Sequence, residues 1–172
     1  MKKIFLLLVF VFIHLLTSCK IGNIFSPFEE QNQLKEEIRL YSEIFNDINY
    51  DNSIFIIEDL TDPAITKKVV AKDANGELLG YIYTVAGENS YGPISLLVGI
   101  GADGKLVSAE FLENGQSYGK QVETHVNSSY TSGLTLEEIS NINTSCGATY
   151  GANTVKELVT IAFNDYNNGG AE

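Results

Sequence analysis

Four short segments rich in β-branched and aromatic residues follow one another in the middle of the chain. They are KKVVAKD (67–73), ELLGYIYTVAG (77–87), PISLLVGIGA (93–102) and KLVSAEFLEN (105–114). Runs of this kind predict β-strands. The dipeptides Asn75-Gly76 and Asp103-Gly104 between them tolerate the positive φ of two-residue hairpin turns. The pattern therefore predicts a largely antiparallel meander.

Helical periodicity lies on both sides of these strands. An apolar residue recurs every three or four positions before them, at Leu34, Ile38, Tyr41, Phe45 and Ile48. After them, Thr135 to Glu138 and Thr154 to Glu157 both match the capping box that opens a helix. The second box precedes an apolar stripe made of Val155, Leu158, Val159, Ala162, Phe163 and Tyr166. The sequence predicts an α+β fold, in which helices flank a twisted antiparallel sheet.

The N-terminus has the features of a bacterial export signal. Two lysines precede thirteen mostly apolar residues, 4–16, fewer than the roughly 17 to 25 that a membrane-spanning helix needs. The following Leu16-Thr-Ser-Cys19 resembles the lipoprotein signal, in which the cysteine is lipidated and becomes the mature N-terminus. We expect a cleaved signal peptide (1–18), a tether (19–28) and one domain (29–172) held on the extracytoplasmic side of the cell membrane. The alternative is a short signal anchor that stays uncleaved.

Several function classes have no support in the sequence. The net charge of −11 makes nucleic acid an unexpected partner. His125 is the one histidine outside the signal, and we expect it at the surface with no transition-metal site around it. Residues 99–104 match G-x-G-x-x-G, but a strand pattern follows where a dinucleotide site needs a helix, so we expect a hairpin turn there.

The chain has two cysteines, Cys19 and Cys146. If Cys19 carries lipid, Cys146 has no partner for an intramolecular disulfide. We expect a free thiol that packs as a small apolar residue.

One segment near the C-terminus resembles a known family. CGATYGANTVKELV (146–159) is similar to the S-G-A-T-x-T-S-x-x-V segment of the FMN-binding domain found in the flavin-bearing subunits of sodium-pumping NADH:quinone reductases and of Rnf complexes. Two upstream segments are also similar to that family, YDNSI (50–54) and NSYGPISLLVGIGADGKLVSAEFLENGQSYGKQV (89–122). In the family, a flavin transferase joins the phosphate of FMN to the threonine hydroxyl. The matching residue here is Thr149.

The resemblance implies a set of cofactor-binding residues. Around Thr149 these are Cys146, Gly147 and Ala148, whose small size lets a transferase and FMN approach the backbone. A helix beginning near Thr154 would direct its N–H groups toward the phosphate. The family's E-T-P-G-x-G turn, which lies close to the flavin, corresponds to residues 116–121, where Ser117 and Gly119 match and the acid and proline are lost. Asn143 and Cys146 stand where the family has Asp and Ser or Thr.

The resemblance also implies a role. We expect an electron-transfer flavoprotein component more than a stand-alone enzyme. Its partners would be a flavin transferase, a membrane redox complex or other electron donors and acceptors, and the membrane itself through lipid on Cys19. Two alternatives remain: a flavin-free lipoprotein that uses the fold as a binding or assembly module, and a flavin-bearing component of an Rnf complex, kept in the membrane by an uncleaved N-terminal anchor.

Overall fold

The computed structural model describes residues 27–57 and 60–169, and their side chains from residue 35 onward. The expected signal peptide and Cys19 lie outside the described residues. The chain separates into two compact units, 1–38 and 39–172. Helix α1 (Pro27–Ile44) crosses that boundary, and it begins two residues inside the expected tether. The second unit contains the sheet and all the later helices.

Five antiparallel strands form one open sheet, and their order in the sheet is their order in the chain. The strands are β1 (Ile54–Ile56), β2 (Ile65–Lys72), β3 (Leu78–Asn89), β4 (Gly92–Gly101) and β5 (Leu106–Asn114). Four of them occupy the four segments in which the sequence predicted strands. The predicted α+β fold with an antiparallel sheet and flanking helices is therefore confirmed. The three-residue strand β1 was not predicted.

The turns of the meander differ in length from the prediction. Gly76 and Gly104 have the expected positive φ, +82° and +75°, and residues 99–104 lie in a hairpin as predicted. The two connections, 73–77 and 102–105, are however longer than two residues. Asp73 explains the length of the connection 73–77, because its side chain accepts hydrogen bonds from the backbone N–H groups of Asn75 and Glu77, both at 2.8 Å. The two-residue connection lies between β3 and β4 and consists of residues 90–91.

Three helices follow the sheet: α2 (Gly119–Ser129), α3 (Leu136–Ser140) and α4 (Thr149–Gly169). The capping box at Thr135 is confirmed, because its side chain accepts from the backbone N–H of Glu138 and the Glu138 carboxylate accepts from the backbone N–H of Thr135. Helix α2 was not predicted, since only Val122 and Val126 on it are buried. Two apolar positions are too few to reveal a helical period.

The second predicted capping box is wrong. Helix α4 begins at Thr149, five residues before the expected start, so Thr154 lies inside the helix. Its hydroxyl donates to the carbonyl oxygen of Tyr150 at 3.1 Å and accepts from the Asn89 side chain at 2.8 Å. The Thr-x-x-Glu spacing places both residues on one helical face, and this spacing also occurs by chance inside a helix.

Each face of the sheet has its own apolar cluster. The larger cluster lies between the sheet and α4. Five residues of the predicted stripe on that helix are buried, Val155, Leu158, Val159, Ala162 and Phe163, and the sixth, Tyr166, is partly buried. Because side chains alternate along a strand, Tyr81 and Tyr83 belong to this cluster and Ile82 to the opposite one. The smaller cluster includes Tyr41 and Ile44 at the end of α1.

A buried ion pair joins α4 to the sheet. Lys68 Nζ lies 2.8 Å from Asp165 Oδ2, and the two side chains are only 12% and 6% exposed. The hydroxyl of Thr61 also donates to Asp165, and the ammonium lies 5.4 and 5.5 Å from the ring centroids of Tyr81 and Tyr83. Burial alone would raise the pKa of Asp165, but the hydrogen bonds from Lys68 and Thr61 outweigh it and lower that pKa. The Asp165 carboxyl group is therefore ionised at neutral pH.

Candidate functional site

A cavity of about 240 Å³ opens beside the loop that precedes α4. Three segments that are distant in sequence line it: the connection between β3 and β4, the residues from the end of β5 into α2, and the loop with the first turn of α4. The lining residues are Tyr91, Gln116, Tyr118, Val122, Gly147, Ala148, Thr149, Tyr150 and Gly151. The fold thus brings the Gly-Ala-Thr loop and the turn at 116–121 to one place.

Thr149 is the first residue of α4, and it is exposed. Gly147 has a φ of +78°, a conformation that non-glycine residues rarely adopt, and Ala148 is 8% exposed. The chain therefore turns sharply and enters the helix within two residues. The hydroxyl-bearing residue stands directly at the N-terminus of the helix, where the backbone N–H groups of the first turn have no partner within the helix.

The loop before Thr149 is tied to the body of α4. The Thr144 hydroxyl donates to the Asn153 side chain at 2.6 Å, and the Lys156 ammonium donates to the carbonyl oxygen of Ile142 at 3.0 Å. Within the loop, the Asn143 side chain accepts from the backbone N–H of Ser145 at 3.0 Å. An aspartate at position 143 could accept the same bond, because Asn and Asp form equivalent turns.

Gln116 connects the three segments of the cavity wall. It is 8% exposed, and its side-chain amide donates to the carbonyl oxygen of Gly92 in the β3–β4 hairpin. On its other side, Oε1 lies only 3.0 Å from the point where a Cβ would stand at Gly151. The next residue strengthens the connection, since the backbone N–H of Ser117 donates to the carbonyl oxygen of Tyr91 at 3.1 Å.

The structure brings together three of the six cofactor-binding residues suggested by sequence: Gly147, Ala148 and Thr149 line the cavity. Ser117 and Gly119 do not line it, although Ser117 lies between two residues that do. Cys146 is a free, half-buried thiol, as expected, and it lines a different and wider surface cavity.

Sequence reasoning missed six lining residues: Tyr91, Gln116, Tyr118, Val122, Tyr150 and Gly151. They lie in turns and in the first turns of helices. Functional side chains in such places follow no repeating spacing in the sequence, so periodicity cannot reveal them. The one signal that could have identified the three tyrosines among them is the occurrence of large aromatic residues in turns, where side chains are exposed.

The expectation that His125 lies at the surface is confirmed only in part, because this residue lines a surface cavity but is half-buried on α2. Its Nε2 atom is buried and has no hydrogen-bond partner among the described residues, and Nδ1 lies 3.4 Å from the hydroxyl of Ser129. Burial lowers its pKa, which favours the neutral ring. Within residues 27–57 and 60–169, no group of three or more His, Cys, Asp or Glu residues could hold a metal ion.

The cavity is uncharged. None of its nine lining residues carries a formal charge, although the whole chain has a net charge of −11. The N-terminal end of α4 supplies a partial positive charge beside it. The site therefore combines an exposed hydroxyl, the positive end of a helix dipole and an aromatic wall, an arrangement suited to a ligand with one anionic group and one flat neutral ring.

Gly151 permits the close contact between α4 and α2. A Cβ there would lie 2.6 Å from Val122 Cγ2, on a buried and stiff β-branched side chain. Alanine normally stabilises a helix relative to glycine by up to about 1 kcal/mol, but overpacking costs about 1 to 3 kcal/mol. We therefore expect Gly151→Ala to lower the melting temperature.

Gly169→Ala at the other end of α4 is the matched control, because nothing lies within 4 Å of its Cβ position. This variant should melt at the wild-type temperature or slightly above it. A higher melting temperature for Gly151→Ala would show that the helices do not pack this closely.

No protein-family model matches the chain, and no curated protein matches it with significant similarity. In the described part of the chain, none of the helices combines the length and apolar character that crossing a membrane requires.

Proposed function

We propose that this protein is a membrane-anchored flavoprotein that carries FMN through a phosphoester to Thr149 and takes part in electron transfer. The proposal starts from the resemblance of residues 146–159 and two upstream segments to the FMN-binding domain. The observation that carries it is the position of Thr149, an exposed hydroxyl residue at the N-terminus of a 21-residue helix and in the wall of an aromatic cavity.

The residues around Thr149 fit a phosphate diester. Gly147 has no side chain and Ala148 directs only a methyl group into a buried position, so the hydroxyl is approachable from the loop side. The N-terminus of α4 favours an anion there by about 0.3 to 1 kcal/mol. No acidic side chain lines the cavity to oppose that anion.

The cavity also fits a planar ring. Its volume of about 240 Å³ is close to the lower end of ligand pockets, about 300 Å³, so it can hold a ring system but not a complete dinucleotide. Tyr91, Tyr118 and Tyr150 in its wall are 41%, 54% and 66% exposed, so solvent reaches the wall. A ring in this place would remain accessible to partner proteins.

When bound, FMN supplies the oxidation and reduction chemistry, and the protein supplies position and electrostatics. The loop tied by Thr144 and Lys156 would hold the attachment point still, and Gln116 would hold the cavity wall. The proposed role is that of a carrier between donor and acceptor partners. A flavin transferase would load it, and lipid on Cys19 would keep it at the extracytoplasmic face of the membrane.

The test is co-expression of the full chain with a flavin transferase, followed by a denaturing gel under ultraviolet light and intact-mass measurement. We expect a fluorescent band and a mass increase of one FMN less one water. The same spectrum tests the anchor, because a lipoprotein begins at Cys19 with acyl groups added, whereas an uncleaved chain retains residues 1–18.

The flavin-free binding module is the second candidate, and the residues at 143 and 146 favour it. Asn143 and Cys146 differ from the family pattern that a transferase recognises. If wild type takes up no flavin, the variant with Asn143→Asp and Cys146→Ser should be loaded in the same way. Absence of covalent flavin from both proteins would reject the proposed function.

A further inference from the structure

We infer that Tyr91, Tyr118 and Tyr150 form a platform that holds a planar, uncharged aromatic ring. This inference rests on the proposed function in one respect: under that function, the bound ring is the isoalloxazine of FMN. The three residues are called the tyrosine platform below. All three lie in the segments that resemble the FMN-binding domain, but none of them is among the cofactor-binding residues that the resemblance implies.

Exposure distinguishes these three residues from the other aromatic residues. Among the residues whose side chains the structure describes, they are the aromatic residues more than about a third exposed, at 41%, 54% and 66%. All three line the same cavity. Tyrosine offers a large contact area for little conformational entropy, which is why it is frequent in recognition surfaces.

Two rings of the tyrosine platform contact each other. The rings of Tyr91 and Tyr150 have centroids 5.3 Å apart and are tilted by 38°, so they contact each other without stacking in parallel. Aromatic pairs in this range attract each other and restrict each other's motion. The pair brings the β3–β4 hairpin and the first turn of α4 together at the mouth of the cavity.

The backbone beneath the platform is held in place. Gln116 donates to the carbonyl oxygen of Gly92, next to Tyr91, and its side chain lies against Gly151, next to Tyr150. Tyr118 directly precedes α2, and its carbonyl oxygen accepts from the backbone N–H of Val122 at 3.2 Å. A platform built on connected elements loses little freedom when a ring binds, which favours affinity.

The chemistry of the wall limits the ligand. Val122 and Ala148 are buried apolar residues behind the platform, and the polar groups of the wall are neutral. A charged group would find no counter-ion in the wall, whereas a flat heteroaromatic ring gains contact with tyrosine faces and hydrogen bonds at its edges. Stacking on an aromatic side chain strengthens the binding of a nucleobase, a ring of similar kind, by about tenfold.

The first measurement uses protein loaded with covalent flavin. Aromatic contact quenches flavin emission, so emission should rise when the loaded wild type is unfolded in guanidinium chloride. In Tyr91→Leu and Tyr150→Leu the native protein should already be brighter, and unfolding should increase emission less. The denaturing gel shows separately that each variant carries flavin, so loss of loading and loss of ring contact are distinguished.

The second measurement uses the protein without flavin and riboflavin as the probe, which has the ring but no phosphate. Wild type should quench riboflavin emission to saturation, and Tyr91→Leu or Tyr150→Leu should weaken the binding about tenfold. Tyr150→Phe keeps the ring and should bind as wild type does. Leu112→Ala, at an exposed residue outside the cavity, serves as the control.

The outcomes separate the two proposals. Riboflavin binding that depends on the platform, in a protein that never takes up covalent flavin, would retain the platform and reject the attachment to Thr149. Covalent loading with equal quenching in wild type and the leucine variants would retain the attachment and overturn the platform. Failure of wild type to quench flavin in either measurement would overturn it as well.

Discussion

Lys68→Met should lower the free energy of unfolding by about 3 to 5 kcal/mol at neutral pH. The substitution keeps the volume of the side chain but leaves Asp165, 6% exposed, as a buried charge without its cation. Thr61 can still donate to the carboxylate, but one hydroxyl does not replace an ammonium at 2.8 Å. Denaturant unfolding followed by circular dichroism measures the loss.

The pair formed by Lys105 and Asp103 is the matched control. These side chains are 51% and 65% exposed and lie 4.0 Å apart, so Lys105→Met should cost no more than about 1 kcal/mol. Adding Asp165→Leu to Lys68→Met should recover part of the lost stability, because it removes the uncompensated charge. Equal effects of Lys68→Met and Lys105→Met would show that the buried pair has no special role.

Acidification should reduce the difference in the free energy of unfolding between wild type and Lys68→Met. In wild type the pKa of Asp165 is lowered in the folded state. Its contribution to the stability of the fold is therefore complete above the ordinary aspartate pKa, and it is lost as the pH falls through the folded pKa. In the variant, the ammonium no longer offsets burial, so the pKa of Asp165 is higher than in wild type and protonation relieves the buried charge at a higher pH. Unfolding curves measured from neutral pH to well below the ordinary aspartate pKa test this.

Thr149→Ala should abolish covalent flavin completely in protein that has been co-expressed with a flavin transferase. The phosphoester of this kind needs an aliphatic hydroxyl, and Thr149 is the one Ser or Thr residue among the nine that line the cavity. Because Thr149 is exposed, the variant should keep the wild-type melting temperature, with a change in stability within about 0.5 kcal/mol. Gel fluorescence and intact mass measure the loading.

Two variants make this result specific. Thr149→Ser retains a hydroxyl and should still be loaded, and Ser145→Ala removes an exposed hydroxyl residue of the same loop and should leave loading unchanged. Covalent flavin at the wild-type level in Thr149→Ala would place the attachment at another residue.

The sheet and the last helix could be predicted because burial is periodic in them. Strands β2 to β5 alternate or run apolar over eight to twelve residues, and α4 has a continuous apolar stripe. Helix α2 buries two residues and β1 has three, so neither has enough positions to show a period. The predicted start of α4 is wrong because the Thr-x-x-Glu spacing at Thr154 occurs inside the helix, which begins at Thr149.

The sequence predicted only one side of the candidate site, the loop that ends at Thr149. The Gly-Ala-Thr loop is a contiguous motif and could be recognised in the sequence. The tyrosine platform depends on a β3–β4 connection of two residues, which presents Tyr91, and on a buried Gln116 that bonds across the hairpin. Such contacts join residues 24 to 59 positions apart, and no local pattern encodes them.

The order of strands in the sheet affects when the site can form. Each strand pairs with the strand made just before it, through connections of two to eight residues, so pairing requires only short loops to close. The larger apolar face nevertheless stays uncovered until α4, the last element of the chain, packs on it. Thr149 begins that element, so its place in the cavity exists only after folding is complete. Any enzyme that modifies Thr149 within this cavity must therefore recognise a finished domain, and unfolded chains would escape modification.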